Sequence, residues 1–107
     1  MSDVITVTEQ IRQAARDLQE ATAQIQEAAR KKAETERDYR VRLAKEIVKL
    51  RESGVPVSIV NDLAKASSAD ELFARDLADV EYRATLEAIE SQRAQLSALQ
   101  SALKYME

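Results

Sequence analysis

Two pairs of carboxylates stand three residues apart, Asp76 with Asp79 and Glu87 with Glu90, a spacing that puts each pair on one side of a helix. Oxygen ligands so placed could hold a hard divalent cation. Nothing else in the chain extends that chemistry. There is no His, so the commonest general base and the Glu-x-x-His motif of di-iron bundles are missing. There is no Cys, so thiol nucleophiles, thiolate zinc sites and disulfides are missing too. Neither a Gly-rich phosphate loop nor a Gly-x-Ser-x-Gly elbow occurs. Asp, Glu, Lys and Arg make up 33% of the chain, so these pairs read as solvated helix surface. The expectation is a protein that is not an enzyme, with no catalytic residue, no metal site and no cofactor.

The second chemistry-bearing stretch is ARKKAETERDYRVRLAKEIVKLR, residues 29–51. Arg30, Lys31, Arg37 and Arg40 are its candidate phosphate contacts, and on them rests an alternative reading as a nucleic-acid-binding module. Acids interrupt the run, the chain has one Phe and no Trp, and the net charge is −3. The usual basic footprint and stacking platform are therefore absent, and direct nucleic-acid binding ranks second.

The elements that carry these residues follow from composition and periodicity. Ala, Glu, Lys, Leu, Arg and Gln dominate, with one Gly and one Pro, which is the bias of long helices. Thr6-Val7-Thr8-Glu9 has the form of a capping box, so the first helix is expected over about 7–53. Along it Val4, Ile11, Leu18 and Ile25 recur every seven residues with Ala14, Ala15, Ala21, Ala28 and Ala29 between them. The stripe continues through Ala33, Tyr39, Leu43, Ile47 and Leu50. Ser68-Ala69-Asp70-Glu71 has the same capping form and opens a last helix over about 68–105. On it Tyr82, Ile89, Leu96 and Leu103 repeat by seven, flanked by Leu72, Leu77, Leu86, Leu99 and Met106.

Two long amphipathic helices with a short connection fold back on each other. The fold class is thus all-α: one domain over residues 1–107, a long antiparallel helical hairpin of coiled-coil type with a short helix at its connection. Ile11, Leu18, Ile25, Tyr39, Leu43, Tyr82, Ile89, Leu96 and Leu103 form its seam. If the sevens meet, Leu18 faces Leu103, Ile25 faces Leu96, Lys32 faces Ile89 and Tyr39 faces Tyr82. Charge agrees with the antiparallel sense: residues 30–52 hold nine basic and five acidic side chains, residues 70–90 two basic and seven acidic. Lys32 and Arg93 interrupt the apolar sevens, and are read as stems lying along the seam with their charges in water. A single hairpin covers only part of each helix's apolar width, so a dimer closing into a four-helix bundle is expected.

The connection, about 54–67, reads RESGVPVSIVNDLAKASSADEL with its flanks. Gly54 can take the left-handed conformation that ends a helix, and Pro56 prevents continuation. The rest exceeds the about 2–8 residues that a helix-helix connection in a bundle needs. Residues 58–66 read as a short helix presenting Ile59, Val60 and Leu63. These side chains either fold down to plug the seam's open end or face out as a partner-binding patch.

No basic segment followed by an apolar run opens the sequence, and no run of about 18 apolar residues occurs, so the chain reads as a cytoplasmic protein with no membrane association. RDYRVRLAKEIVKLRESGVPVSIVNDLAKA and ADVEYRATLEAIESQRAQLSALQSAL together resemble segments of small helical-hairpin phage and prophage proteins, often encoded near recombination and replication genes. The resemblance covers residues 37–103. It implies an accessory protein acting inside the host bacterial cell. It would serve as an adaptor in phage DNA recombination or replication, or as an inhibitor of a host defence protein, with a phage or host protein as partner.

Overall fold

A computed structural model describes residues 2–106. It has three helices, α1 (Ser2–Glu52), α2 (Val57–Ser67) and α3 (Ala69–Met106), and among the described residues no strand. Contacts group the chain into two compact units: unit 1 joins Met1–Glu27 to Arg83–Glu107, and unit 2 is Ala28–Tyr82.

In unit 1 the start of α1 clusters with the end of α3. Ala14, Ala21 and Ile89 are buried, and Ile11, Leu18, Ile25, Leu96 and Leu103 are half-buried. Small side chains at every seventh position alternate with larger ones, the pattern that lets two helices approach closely. Gln92 lies on the same side of α3 as Ile89 and Leu96. Its Oε1 is buried and, among the described residues, is the sole such side-chain atom without a hydrogen-bond partner.

In unit 2 the C-terminal part of α1 runs antiparallel to the start of α3. Lys31 pairs with Glu81 (3.6 Å), Lys32 with Asp79 (3.8 Å), Glu36 with Arg75 (3.6 Å) and Arg42 with Glu71 (3.7 Å), so position on one helix falls as position on the other rises. Tyr39, Val60, Ala64, Ser68 and Ala78 form the buried centre, with Leu43, Ile47, Leu50, Leu72 and Tyr82 half-buried around it.

The helix ends depart from the capping boxes read in the sequence. α1 already begins at Ser2, and Thr6 lies inside it. Val4 and Val7 are both half-buried and extend the apolar stripe, Thr8 donates its hydroxyl hydrogen bond back to the Val4 carbonyl (2.8 Å), and Glu9 pairs forward with Arg12 (2.9 Å). Packing of the first turn and a forward ion pair thus leave no carboxylate to cap at Thr6. At the other junction one residue, Ser68, separates α2 from α3. Its hydroxyl donates to the Ala64 carbonyl (2.8 Å), its amide is shared between the Ala64 and Lys65 carbonyls (both 3.1 Å), and its carbonyl accepts from the Leu72 amide (3.0 Å). Ser68 therefore closes one helix and opens the next through its backbone, while Glu71 turns to Arg42.

The break after α1 follows the sequence expectation. The Val55 amide reaches the Leu50 carbonyl and the Gly54 amide the Arg51 carbonyl, both at 3.1 Å. Gly54 has φ +81°, so these are the paired bonds of a Schellman C-cap. Pro56 then leads into α2 at φ −55°, where its missing N–H costs nothing.

Candidate interaction surfaces

The structure divides the connection's three apolar candidates. Val60 is 3% exposed and stands beside fully covered Ala64, whereas Ile59 and Leu63 are 45% and 42% exposed. Residues 60 and 64 share one side of α2, and residues 59 and 63 fall on its flank. Val60 is therefore a core residue, unavailable to a partner. Ile59 and Leu63, with Val57 on the first turn, remain on the surface.

The nine seam residues all lie on covered sides of their helices, Tyr39 and Ile89 buried and the other seven half-buried. The expected meeting of Tyr39 with Tyr82 does not occur. The Arg75 guanidinium stacks 4.7 Å from the centre of the Tyr39 ring, and the Lys32 ammonium lies 5.7 Å from that of Tyr82. The pairing is displaced by seven residues from the one read in the sequence, with position 39 beside 75 and position 32 beside 82. Two cations and two rings thus interleave, held by Glu36 and Asp79. Arg75 is kept firmly charged. Its hydrogen bond to Asp76 raises its pKa first of all, and the charges of Asp76 and Glu36 add to this against the cost of burial. Lys32 is half-buried with its ammonium 3.8 Å from the Asp79 carboxylate, whereas the sequence reading sent that charge to water, and Arg93 is exposed and stands off the seam.

Several residues assigned to the apolar stripe lie outside it. Leu77, Leu86 and Met106 are 43%, 39% and 38% exposed, and Ala15, Ala29 and Ala33 are exposed. Phe73, the single Phe of the chain, is 69% exposed, and Val80 and Val41 with Val48 are also on the surface. The signal that could have found them is a second periodicity: Phe73, Leu77 and Val80 recur at i, i+4 and i+7, about half a turn away from Arg75.

The four candidate phosphate-binding cations are all exposed, and each has an acidic neighbour. Arg30 lies 3.9 Å from Glu34, Lys31 3.6 Å from Glu81, Arg37 3.1 Å from Asp38, and Arg40 2.8 Å from Glu36. A phosphate would compete with a carboxylate at every one of them. Asp76 and Asp79 are likewise occupied, by Arg75 and Lys32. Among the described residues no group of three or more potential metal ligands converges, and no helix is long and apolar enough to cross a membrane.

The described residues thus define an all-helical protein. Comparison with family models, curated proteins and solved structures finds no match to it.

Proposed function

We propose that the chain is a non-catalytic accessory protein that works by protein–protein contact as a self-associated helical bundle. The observation that carries this reading is the breadth of apolar surface outside the seam. Val41, Val48, Ile59, Phe73, Leu77 and Val80 are all exposed on unit 2, on α1, α2 and α3 alike. Exposed apolar side chains grouped in this number on one small unit are costly in water and mark interaction sites. A two-fold pair of hairpins making four helices is the smallest closed form of such an assembly. The resemblance of residues 37–103 to phage and prophage proteins supplies the setting: a bacterial cytoplasm, with a phage or host protein as the further partner, in DNA recombination or replication or in restraint of a host defence protein. Size-exclusion chromatography with light scattering tests the core of the reading. Masses of a dimer or larger at micromolar concentration are expected, and a clean monomer across that range refutes it.

A further inference from the structure

We propose that copies of the chain join through the two outer faces of unit 2. The face of α1 that carries Val41, Ala44 and Val48 on one copy seats against the face of α3 that carries Phe73, Leu77 and Val80 on the next. This rests on the self-association reading and gives it a head-to-tail form in place of a two-fold one.

Each set is a stripe: residues 41, 44 and 48 recur at i, i+3 and i+7, and residues 73, 77 and 80 at i, i+4 and i+7. Both stripes point away from the seam. At about 100° per residue, Val41 and Val48 lie about 200° and 180° round from buried Tyr39, and Phe73 and Leu77 about 160° to either hand of Arg75. Val41 is 47% and Val48 55% exposed on α1, and Phe73 69%, Leu77 43% and Val80 60% on α3, so neither face is covered within the chain.

The occupant follows from charge. The α1 stripe is rimmed by Arg37, Arg40, Lys45, Lys49 and Arg51 against two acids, Asp38 and Glu52, and so is basic on balance; the α3 stripe is rimmed by Asp70, Asp76 and Glu81. Among the described residues Lys45, Lys49 and Asp70 make no ion pair. Two α3 faces brought together would set acid against acid, and two α1 faces base against base. One of each brings opposite charges together around apolar stripes of equal length, each running from residue i to i+7, or about 10 Å. Because the faces lie on opposite sides of unit 2, they cannot meet within one chain, and a second copy supplies what is missing. Laid antiparallel, with Val48 beside Phe73 and Val41 beside Val80, the faces put Lys45 and Lys49 on the flank that carries Asp70 and Glu81, and Arg40 on the flank that carries Asp76. Every copy then points the same way and keeps one face free. Such a heterologous contact closes as a ring or continues as an open chain. The stripes are short, so each contact belongs to the weak class of interfaces and association depends on concentration and salt.

Two full-length variants test the pairing, Val41→Ser with Val48→Ser, and Phe73→Ser with Leu77→Ser. All four side chains are exposed, and circular dichroism checks that helix content is kept. By sedimentation velocity at micromolar concentration, the parent is expected to exceed a dimer and to shrink as salt rises. Each variant alone is expected to be a monomer. Their equimolar mixture should form a heterodimer, since one retains the α3 face and the other the α1 face. A variant that still associates like the parent, or a mixture that stays monomeric, overturns the face pairing while leaving self-association standing. A parent that stops at a dimer overturns the head-to-tail form, and a monomeric parent overturns the self-association reading as well.

Discussion

Val60→Ala measures how firmly α2 is held by its inner side. The side chain is 3% exposed, so removing the equivalent of two methylene groups forfeits about 1.6 kcal/mol of transfer free energy. The cavity left behind raises the loss to about 2–3 kcal/mol. Alanine's better helix propensity returns about 0.5 kcal/mol, leaving about 2 kcal/mol. Leu63→Ala deletes more atoms one turn away, but the side chain is 42% exposed and no enclosed space results, so about 1 kcal/mol is expected. Thermal unfolding followed by far-UV circular dichroism, at one protein concentration because association shifts Tm, reads both. A loss of 4–8 °C per kcal/mol, the scale for domains of about this size, puts Val60→Ala about 8–16 °C below the parent. Leu63→Ala should fall by about half as much, although it is the larger deletion. If Leu63→Ala costs as much as Val60→Ala or more, then α2 is not seated on its Val60 and Ala64 side, and the division of the connection into core and surface residues fails.

Gly54→Ala should cost about 1–2 kcal/mol in the same assay, because a Cβ at φ +81° is strained even though nothing lies within 4 Å of it; Gly54→Asn should cost less. Ser68→Ala removes the buried hydroxyl bond to Ala64 and should lower stability by about 1 kcal/mol by urea titration. Gln92→Leu relieves a buried acceptor that has no donor, and is expected to raise the urea midpoint, by about 1 kcal/mol in stability; a fall would show that Oε1 is satisfied in solution. A double-mutant cycle between Tyr39→Ala and Arg75→Ala should give a coupling of about 0.5–1 kcal/mol, while one between Tyr39→Ala and Tyr82→Ala should give none within error.

What could be read in the sequence was set by local rules that have no strong competitor. The all-helical character follows from the composition and the seven-residue repeats of the whole chain, and the C-cap at Gly54 and the break at Pro56 each from one residue with a single favourable conformation. The capping boxes were less secure. A Thr or Ser hydroxyl that can cap a helix can equally bond the carbonyl four residues back once the chain on its N-terminal side is helical, as Ser68 does. The surface was least legible. In α3 apolar residues occupy two opposite sides, and period alone assigned Leu77 and Leu86 to the covered one. Exposure of the single Phe, at position 73, is missed as long as any large apolar residue counts as core, and only its spacing from Leu77 and Val80 signals a second face.

The register shows why a heptad pattern cannot place itself. A slip of seven carries every seam residue onto an equivalent one, so the apolar repeat is satisfied equally before and after the slip. The bulk charge balance is equally indifferent, since a long basic segment still lies beside a long acidic one. Two local constraints break the tie. One is the set of specific partners, Lys32 with Asp79 and Glu36 with Arg75, which the slipped arrangement would separate by two turns of helix. The other is where the chain reverses. The pairs obtained by letting the sevens meet have their midpoint between residues 60 and 61, inside α2. The midpoints of Lys31 with Glu81, Lys32 with Asp79, Glu36 with Arg75 and Arg42 with Glu71 all fall within one residue of Pro56. The turn is therefore the Gly54–Pro56 break alone. With a single residue between them, α2 and α3 together make up the returning arm, and Val60 and Ala64 are buried as its first core positions. Counting α2 as part of that arm shifts the centre by about four residues and the register by about one heptad. The position of the helix break, and not the length of the connection, selects which sevens meet.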